Sequence, residues 1–391
     1  CVSRLRKVTI MALTNLGLLT NEQKTLWGLD LWKNARNKSF TSQFLGNDNG
    51  SMINHVTELT KGTKGTRAVI TLLADLIGDG IAGDRTLKGN EEGMQTFEQV
   101  IRYDQLRHAN KHEGRMAEQK SVFSFRDNSK NVLAYWLADR IDQMAFQTLG
   151  GLSYAYKPNG ATRVGSDLQY LEFAADVSAP STRRMTRWDN VNKTLKTSAT
   201  GNNTSTSIVN TGAAATSDFP AWEMFIQLKA YAKDRYMRGV GGDGGSENFH
   251  AFLTPQAMSR LKLDPTYLQN LRYSQNSATN AKLFSGDAVT VDGITLHEFR
   301  HVPNCTGGIS GTNMYGAGLN LLGSQVLFCG AQALGMADID APYWEEDEDD
   351  FGNSQSISVG KMLGFLKPKF GNIYEGNAVE DFGVISCYVA Q

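Results

Sequence analysis

Residues 67–108, RAVITLLADLIGDGIAGDRTLKGNEEGMQTFEQVIRYDQLRH, contain two strand-like runs separated by a polar, glycine-rich segment. The runs at 67–77 and 96–108 contain Thr, Val and Ile, which favour a pleated, half-buried surface. The residues between them, 78–93, are rich in glycine and in acidic side chains, as exposed turns are. Because so polar a tip cannot pack on its own core, the segment predicts a long hairpin whose tip is mobile or lies on another molecule.

The residues that follow this hairpin predict a long amphipathic helix over 124–151. Apolar residues recur there at spacings of three and four, and Gly150–Gly151 ends the pattern. At 1.5 Å per residue this helix would be roughly 35–40 Å long, which suits a spine on which a sheet can rest. The apolar residues assigned to its buried face are Val132, Leu133, Trp136, Leu137, Ile141, Met144, Ala145 and Leu149.

The segment before the hairpin predicts a helix and then a polar connection. Thr20 and Gln23 have the spacing of a capping box, so we expect a helix over 21–36. This helix could pack on its own domain or cross onto a neighbouring subunit, and the sequence favours the first interpretation. Residues 39–65 are polar and glycine-rich. The apolar residues of the helix are Trp27, Leu31 and Ala35.

The middle of the chain predicts irregular structure and one helix. Residues 152–193 favour an irregular region with a helical turn near Tyr170, and 197–218 form a Ser/Thr/Asn/Gly-rich loop or linker. Asp218 as a cap and Pro220 in the first turn predict the start of a helix. Its apolar side would carry Trp222, Phe225, Ile226, Tyr236 and Met237.

The last third of the chain predicts a small α/β unit and then closing strands. The unit has a strand at 249–253, a helix begun by Thr254–Pro255, and a hairpin with Asp292–Gly293 as its turn. The element order as a whole predicts an α+β protein whose two ends share one sheet. The closing strands are QVLFC (325–329), SISVG (356–360) and GVISCYV (383–389).

Composition excludes several classes of protein. Lys and Arg number 39 against 40 Asp and Glu, so no chain-wide positive field can hold nucleic acid, and any contact with DNA must be local and weak. The four cysteines form no CxxC pair, which argues against a structural zinc site and a disulfide framework. They are Cys1, Cys305, Cys329 and Cys387.

The sequence predicts neither a membrane span nor a secretory signal peptide. No apolar stretch approaches the roughly 18 residues of a span, and the basic start lacks a signal-peptide core, so we expect a protein made and used in a cytoplasm. Residues 1–10 precede Met11, which reads as a natural start. We therefore expect those ten residues to be an upstream extension or a truncated leader.

The sequence contains only weak signals for a metal site or a catalytic site. His108 and His112 have the spacing of a zinc hydrolase, but Glu113 follows them instead of lying between them. The acidic tip 78–93 lacks the alternating ligand spacing of a calcium loop. The acidic run 345–350 could bind cations or a basic partner, but it is as well explained by solvation or by an interface lysine. No nucleophile elbow or phosphate-binding loop is present, so we expect no enzyme, no cofactor and no metal.

Three long blocks of sequence carry a resemblance to a known family. They are TELTKGTKGTRAVITLLADLIGDGIAGDRTLKGNEEG (57–93), DQLRHANKHEGRMAEQKSVFSFRDNSKNVLAYWLADRIDQMAF (104–146) and LQYLEFAADVSAP (168–180). From about Leu18 to Val191 the chain resembles the major capsid proteins of tailed bacteriophages. The resemblance implies the Hong Kong 97-type capsid fold, in which a hairpin called the E-loop extends from the subunit.

That resemblance implies a division of the chain into capsid domains. The N-terminal arm would be residues 1–60, the E-loop hairpin 61–115, and the peripheral domain 116–238. The peripheral domain would hold the spine helix and a possible insertion at 152–218. The axial domain would be 239–325, and 326–391 would return to the peripheral domain.

The implied function is a subunit that assembles into an icosahedral shell around the phage genome. Its partners would be further copies in pentamers and hexamers, a portal protein, scaffolding and decoration proteins, and packaged double-stranded DNA held by weak contacts. It would be found in the virion after assembly in the host cytoplasm. Two alternatives stay open, an encapsulin-like compartment shell and a metal-dependent hydrolase that uses His108 and His112.

The residues that we expect to contact other subunits lie on the first helix and on the hairpin tip. In some capsids of this fold a hairpin lysine joins subunits covalently, but the sequence identifies no partner for Lys88, so no cross-link is predicted. The expected contact residues are Trp27, Lys33, Asp79, Asp84, Arg85, Lys88, Glu91 and Glu92.

Overall fold

The computed structural model describes residues 21–48, 50–56, 67–73, 76–94, 96–120, 124–197, 217–241, 247–274, 289–310, 314–315, 320–372 and 378–391. Within these ranges the helices are α1 (Asn21–Lys38), α2 (Arg115–Lys120), α3 (Phe125–Gly150), α4 (Trp222–Asp234), α5 (Pro255–Lys262) and α6 (Pro265–Ser274). The strands are β1 (Leu45–Gly46), β2 (Ile53–Val56), β3 (Arg67–Leu73), β4 (Thr96–Arg102), β5 (Asp104–Lys111), β6 (Met185–Asp189), β7 (Thr194–Thr197), β8 (Phe249–Leu253), β9 (Val289–Val291), β10 (Ile294–Glu298), β11 (Gly323–Cys329), β12 (Leu334–Asp349), β13 (Ser354–Leu366), β14 (Lys369–Asn372), β15 (Ala378–Asp381) and β16 (Val384–Ala390). This content confirms the α+β class.

The described residues form two compact units. The described residues within Cys1–Arg36, Arg107–Trp136 and Ala341–Lys361 form unit 1, and those within Asn37–Leu106, Leu137–Asp340 and Met362–Gln391 form unit 2. Among the helices that the structure describes, none combines the length and apolar character that a membrane span requires.

Unit 2 is built on a seven-stranded sheet with the order β7-β6-β16-β11-β8-β10-β9. Strands β8 and β10 run parallel, with Phe249 opposite Ile294. The side chains of these two residues lie in a core shared with α4 and α5. Alternation along β8 sends His250 and Phe252 to the opposite face of the sheet. Helix α4 covers the core side with Met224 and other buried residues.

The hairpin predicted from the sequence is confirmed, with a shorter stem. Strands β3 and β4 pair antiparallel from Arg67 opposite Arg102 to Leu73 opposite Thr96. Ile70 and Ile101 bury the stem in a small apolar cluster of unit 2. The second predicted run, 96–108, is not one strand. It divides at Tyr103, after which β5 continues to Lys111 and lies beside β13.

Helix α3 confirms the predicted spine. It ends in a Schellman motif, in which the Gly151 N–H donates to Thr148 O (3.1 Å) and the Leu152 N–H to Gln147 O (2.7 Å). Gly151 has φ +71, and a Cβ there would lie 2.4 Å from Ser178 O, so this stop requires glycine. The assignment of Val132 to the buried face is wrong, because that side chain is 59% exposed while Leu133 is buried.

The middle region holds strands that local patterns did not predict. The turn near Tyr170 is confirmed as a short 3₁₀ helix, Asp167–Tyr170. Strands β6 and β7, however, lie within the region expected to be irregular, and residues 198–216 of the predicted loop lie outside the described residues. Strand β6 forms because its buried side chains pack in the seven-stranded sheet, where it pairs parallel with β16.

Three details of the predicted α4 helix are wrong. Pro220 precedes the helix instead of lying in its first turn, because the helix begins at Trp222. Ala221 is its N-cap residue, and Asp218 instead accepts a hydrogen bond from the Asn190 N–H (3.2 Å). Ile226 and Tyr236 are exposed, so neither belongs to the buried face.

The short-range signals at the C-terminal end are confirmed. Thr254 caps α5 by accepting from the Ala257 N–H (3.3 Å), and Asp292–Gly293 turns β9 into β10 with positive φ at both residues. The expectation that the two chain ends share one sheet is confirmed for β2, which pairs parallel with β12. Strand β16 instead lies in the seven-stranded sheet. The polar connection expected at 39–65 contains a 3₁₀ helix and the strands β1 and β2.

Candidate subunit-contact surfaces

The hairpin tip, residues 76–94, is an exposed loop closed by one carboxylate. Glu92 accepts hydrogen bonds from the Ile77 N–H (Oε1, 2.9 Å) and the Gly78 N–H (Oε2, 2.7 Å). The Glu91 carboxylate in turn accepts from the Gly89 N–H (2.7 Å). The two bonds of Glu92 join the two sides of the tip, so the loop has a defined conformation despite lacking regular structure.

The surface of the tip is charged and also apolar. Asp79, Asp84, Arg85 and Lys88 are exposed, as expected for contact residues. Sequence reasoning missed a set of large apolar side chains beside them, and large apolar residues inside so polar a segment are the signal that could have identified them. Exposed apolar patches are typical of protein contact surfaces, and these side chains share one exposed loop. They are Leu76, Ile77, Leu87 and Met94.

The stem of the hairpin is anchored to β14 within unit 2. The Lys369 N–H donates to Gln99 Oε1 (3.0 Å), and the rings of Phe97 and Phe370 meet edge to face with centroids 6.5 Å apart. These contacts fix the direction in which the stem leaves the unit, and therefore the position of the tip.

Helix α1 packs within unit 1, as the sequence favoured. The Trp27 ring lies 5.6 Å from that of Trp344, and Lys130 Nζ lies 4.8 Å from the Trp27 centroid. Trp27 is therefore partly covered by its own chain, whereas Lys33 is exposed. Of these two expected contact residues, Lys33 has the more accessible side chain.

A close approach between α1 and β12 predicts the effect of one substitution. A Cβ at Gly28 would lie 2.5 Å from Pro342 O, so Gly28→Ala forces the helix off the strand backbone. We expect a net loss of about 1–3 kcal/mol in the free energy of unfolding, despite the helix propensity gained. Urea denaturation measures it. Gly93→Ala is the control, since nothing lies within 4 Å of its Cβ, and equal effects in both variants would contradict the expectation.

The acidic run 345–350 is mostly strand, because β12 extends to Asp349. Three of its carboxylates pair with basic residues of unit 1. Glu345 pairs with Lys24 (2.6 Å), Glu346 with Arg126 (2.7 Å) and Asp349 with Lys111 (2.6 Å). The run is thus set against basic residues of its own chain, whereas the interpretations made from the sequence were a solvated run or one set against an interface lysine.

His108 and His112, which have the spacing of zinc ligands, make other contacts. His108 stacks on Trp136 with centroids 4.5 Å apart. His112 accepts from the Gln355 N–H (3.2 Å) and packs edge-on against Phe125. Within the described residues, no three His, Cys, Asp or Glu side chains are grouped as a metal site requires.

Three of the four cysteines are buried free thiols, and Cys1 lies outside the described residues. Burial raises the pKa of Cys387 to about 12 and also raises that of Cys305. These groups are therefore protonated and unreactive at neutral pH.

Comparison with known proteins gives one consistent result. A family model described as phage capsid protein matches residues 15–391. The major capsid protein of Pseudomonas phage KPP25 is 52% identical over 377 residues, which are 96% of this chain and 97% of that protein.

Solved capsid structures share the fold. The capsid of Ralstonia phage GP4 matches with a TM-score of 0.68 and 21% identity, over 90% of this chain and 91% of that chain. The capsid of cyanophage Pam1 matches with a TM-score of 0.67 and 15% identity, over 90% and 92% of the two chains. At these identities the likeness concerns the fold alone.

Proposed function

The chain belongs to the family of phage capsid proteins and is a structural subunit of a phage shell, and from this we propose how its copies meet. Copies associate as pentamers and hexamers, and each lays its hairpin tip over a neighbour. The observation that carries this proposal is the exposed, internally hydrogen-bonded tip with Leu87 and other large apolar side chains in water. Repeated in a closed lattice, even small contacts of this kind sum to a stable shell.

We further propose that the subunit has the Hong Kong 97-type arrangement. The arm would be residues 1–60, the E-loop hairpin 61–115, the peripheral domain 116–238 and the axial domain 239–325, with 326–391 returning to the peripheral domain. The last boundary falls inside β11, which pairs with both β8 and β16. The axial and returning segments therefore share the seven-stranded sheet.

The proposed partners beyond further copies of the chain are a portal protein, scaffolding and decoration proteins, and packaged double-stranded DNA. A net charge of −1 supports only weak, local contact with that DNA, because strong non-specific binding needs many neutralised phosphates. Assembly would take place in the host cytoplasm.

The proposed tip contact is tested by placing a charge on it. Leu87 is 61% exposed, so Leu87→Asp should leave the unassembled subunit as stable as before. In a shell the new carboxylate would be buried against a neighbour, and an unpaired buried charge costs several kcal/mol. We expect the yield of closed particles in negative-stain electron microscopy to fall by at least about tenfold.

Val164→Asp is the matched control, because Val164 is 93% exposed and lies away from the tip in sequence. It should assemble as the unmodified chain does. Full assembly of Leu87→Asp would remove the hairpin tip from the contact surface, although the chain would remain a capsid subunit.

A further inference from the structure

Two histidines of unit 2 form a hydrogen-bonded pair on the face of the seven-stranded sheet opposite its main core. His250 of β8 and His297 of β10 place Nδ1 and Nε2 3.0 Å apart. Their ring centroids are 5.2 Å apart, and Phe252 stacks on His297 at the same distance. Both imidazoles are half-buried.

The pair is covered by residues 39–44, the segment that follows α1, which we call the strap. Phe44 meets His250 and His297 edge to face, with centroids 5.3 and 5.1 Å apart. Phe40 meets His297 at 6.1 Å and stacks on Phe299 at 4.3 Å. The seat of the strap is therefore an aromatic surface with two titratable rings at its centre.

Hydrogen bonds to Asp142 hold the N-terminal end of the strap. Asp142 of α3 accepts hydrogen bonds from the Ser39 hydroxyl (2.7 Å), the Phe40 N–H (2.9 Å), and the Thr41 N–H and hydroxyl (3.1 and 2.7 Å). The strap is thus held by one carboxylate and by one ring-lined seat, and only the seat contains histidine.

The hydrogen bond between the two imidazoles depends on their protonation. In the neutral pair one ring nitrogen donates and the other accepts. One added proton can occupy an outer nitrogen and leave this bond in place. A second proton removes the acceptor, so both facing nitrogens carry hydrogen and two positive charges lie side by side among phenyl rings.

Two carboxylates of α3 accept hydrogen bonds from groups other than the pair. On α3, Asp142 is occupied by the strap, and Asp139 by His301 (2.7 Å) and Arg300 (2.8 Å). The hydrogen bond from His301 is the main reason why the pKa of Asp139 is lowered to about 2.

The two elements next to the pair add no compensating negative charge. On β11, Cys329 lies opposite His250, and burial raises the pKa of its thiol, so it is uncharged. On the strap side, Lys38 precedes Ser39 in the chain and is a cation. Burial lowers the pKa of His250, and burial together with His250 lowers that of His297 to about 4.

We propose that the strap is pH-sensitive, seated on the His250–His297 pair at neutral pH and released when both imidazoles are protonated. A released pair would titrate near the ordinary histidine value of 6.5. The released state therefore binds more protons than the seated state between pH 6.5 and about 4. The seated state is fully favoured above pH 6.5 and loses this advantage as the pH falls through about 4.

Hydrogen–deuterium exchange of the full chain tests the proposal. The readout is the protection factor, corrected for intrinsic rates, of peptides that contain the Phe40 and Thr41 amides. Between about pH 7 and about pH 4 we expect that protection to fall at least about tenfold in the unmodified chain. In His250→Gln/His297→Gln it should change less than about twofold, because glutamine does not titrate. His108→Gln, which alters a histidine stacked elsewhere, should behave like the unmodified chain.

Either of two exchange results would overturn the proposal. One is constant protection in the unmodified chain, and the other is an equal loss in the double variant, which would assign the acid response to groups other than these two histidines. If the double variant fails to fold, the pH titration of the imidazole C2–H resonances in NMR spectra of the unmodified chain tests the proposal instead. Two histidines should titrate below the ordinary value of 6.5 in step with the loss of protection, and ordinary titration of His250 and His297 would reject the strap mechanism.

Discussion

Asp142→Ala is expected to lower the free energy of unfolding of the unassembled subunit by about 3–5 kcal/mol. Asp142 is only 4% exposed, and its carboxylate accepts four hydrogen bonds from Ser39, Phe40 and Thr41. Truncation leaves those donors in a site that water barely reaches. The loss of several charge-assisted hydrogen bonds at once puts this substitution among the largest effects of a single residue.

Chemical denaturation of unassembled subunits measures this effect, since assembly would add stability from neighbouring copies. Asp142→Asn should also be destabilising, because its amide nitrogen is a donor facing other donors. Asp127→Ala is the matched control on α3, because Asp127 is exposed in the first turn, and it should change stability by less than about 1 kcal/mol. A loss for Asp142→Ala no larger than that of the control would show that water replaces the carboxylate.

The elements predicted correctly are those whose cause lies in neighbouring residues. The spine helix could be predicted from its apolar periodicity and Gly151 alone. Helix α5 could be predicted from Thr254 as its cap, and the β9–β10 hairpin from Asp292–Gly293 as its turn. Each of these signals acts within a few residues. Nothing distant in the chain has to be known to interpret them.

The elements missed are those stabilised by distant partners. Strand β6 exists because β16, about two hundred residues later, pairs with it. An acidic run can continue β12 because Lys24, Lys111 and Arg126 come from three other segments to meet it. Local propensity contains no information about these partners. The same limit explains why Asp218 was misassigned as a cap.

The candidate contact surface was predictable in place but not in chemistry. Composition identified the hairpin tip because so polar a segment cannot be core. It also directed attention to charges such as Lys88, whereas the structure adds Leu87 and other exposed apolar residues. The Trp27 side chain could not be judged from sequence, because the ring that covers it, Trp344, lies at the other end of the chain.

Asp381→Ala is expected to cost about 3–5 kcal/mol at pH 7, because it removes one partner of a buried ion pair. Lys367 Nζ lies 3.2 Å from Asp381 Oδ2, and both side chains are almost fully buried. The pair is coupled, so Lys367→Met/Asp381→Ala should be less destabilised than the two single effects added together. Glu298→Ala is the control, since it breaks an exposed pair with Lys262 and should change stability by less than about 1 kcal/mol.

The cost of Asp381→Ala should also depend on pH in a defined direction. Burial lowers the pKa of Lys367 even with Asp381 present, and loss of the carboxylate lowers it further. Between that folded value and the ordinary 10.5, the unfolded chain binds the additional proton, so the stability of the variant rises with pH. Urea titrations at about pH 7 and about pH 9.5 should therefore show the deficit against the unmodified chain shrinking. A deficit independent of pH would mean that Lys367 keeps its charge by reaching water or another carboxylate.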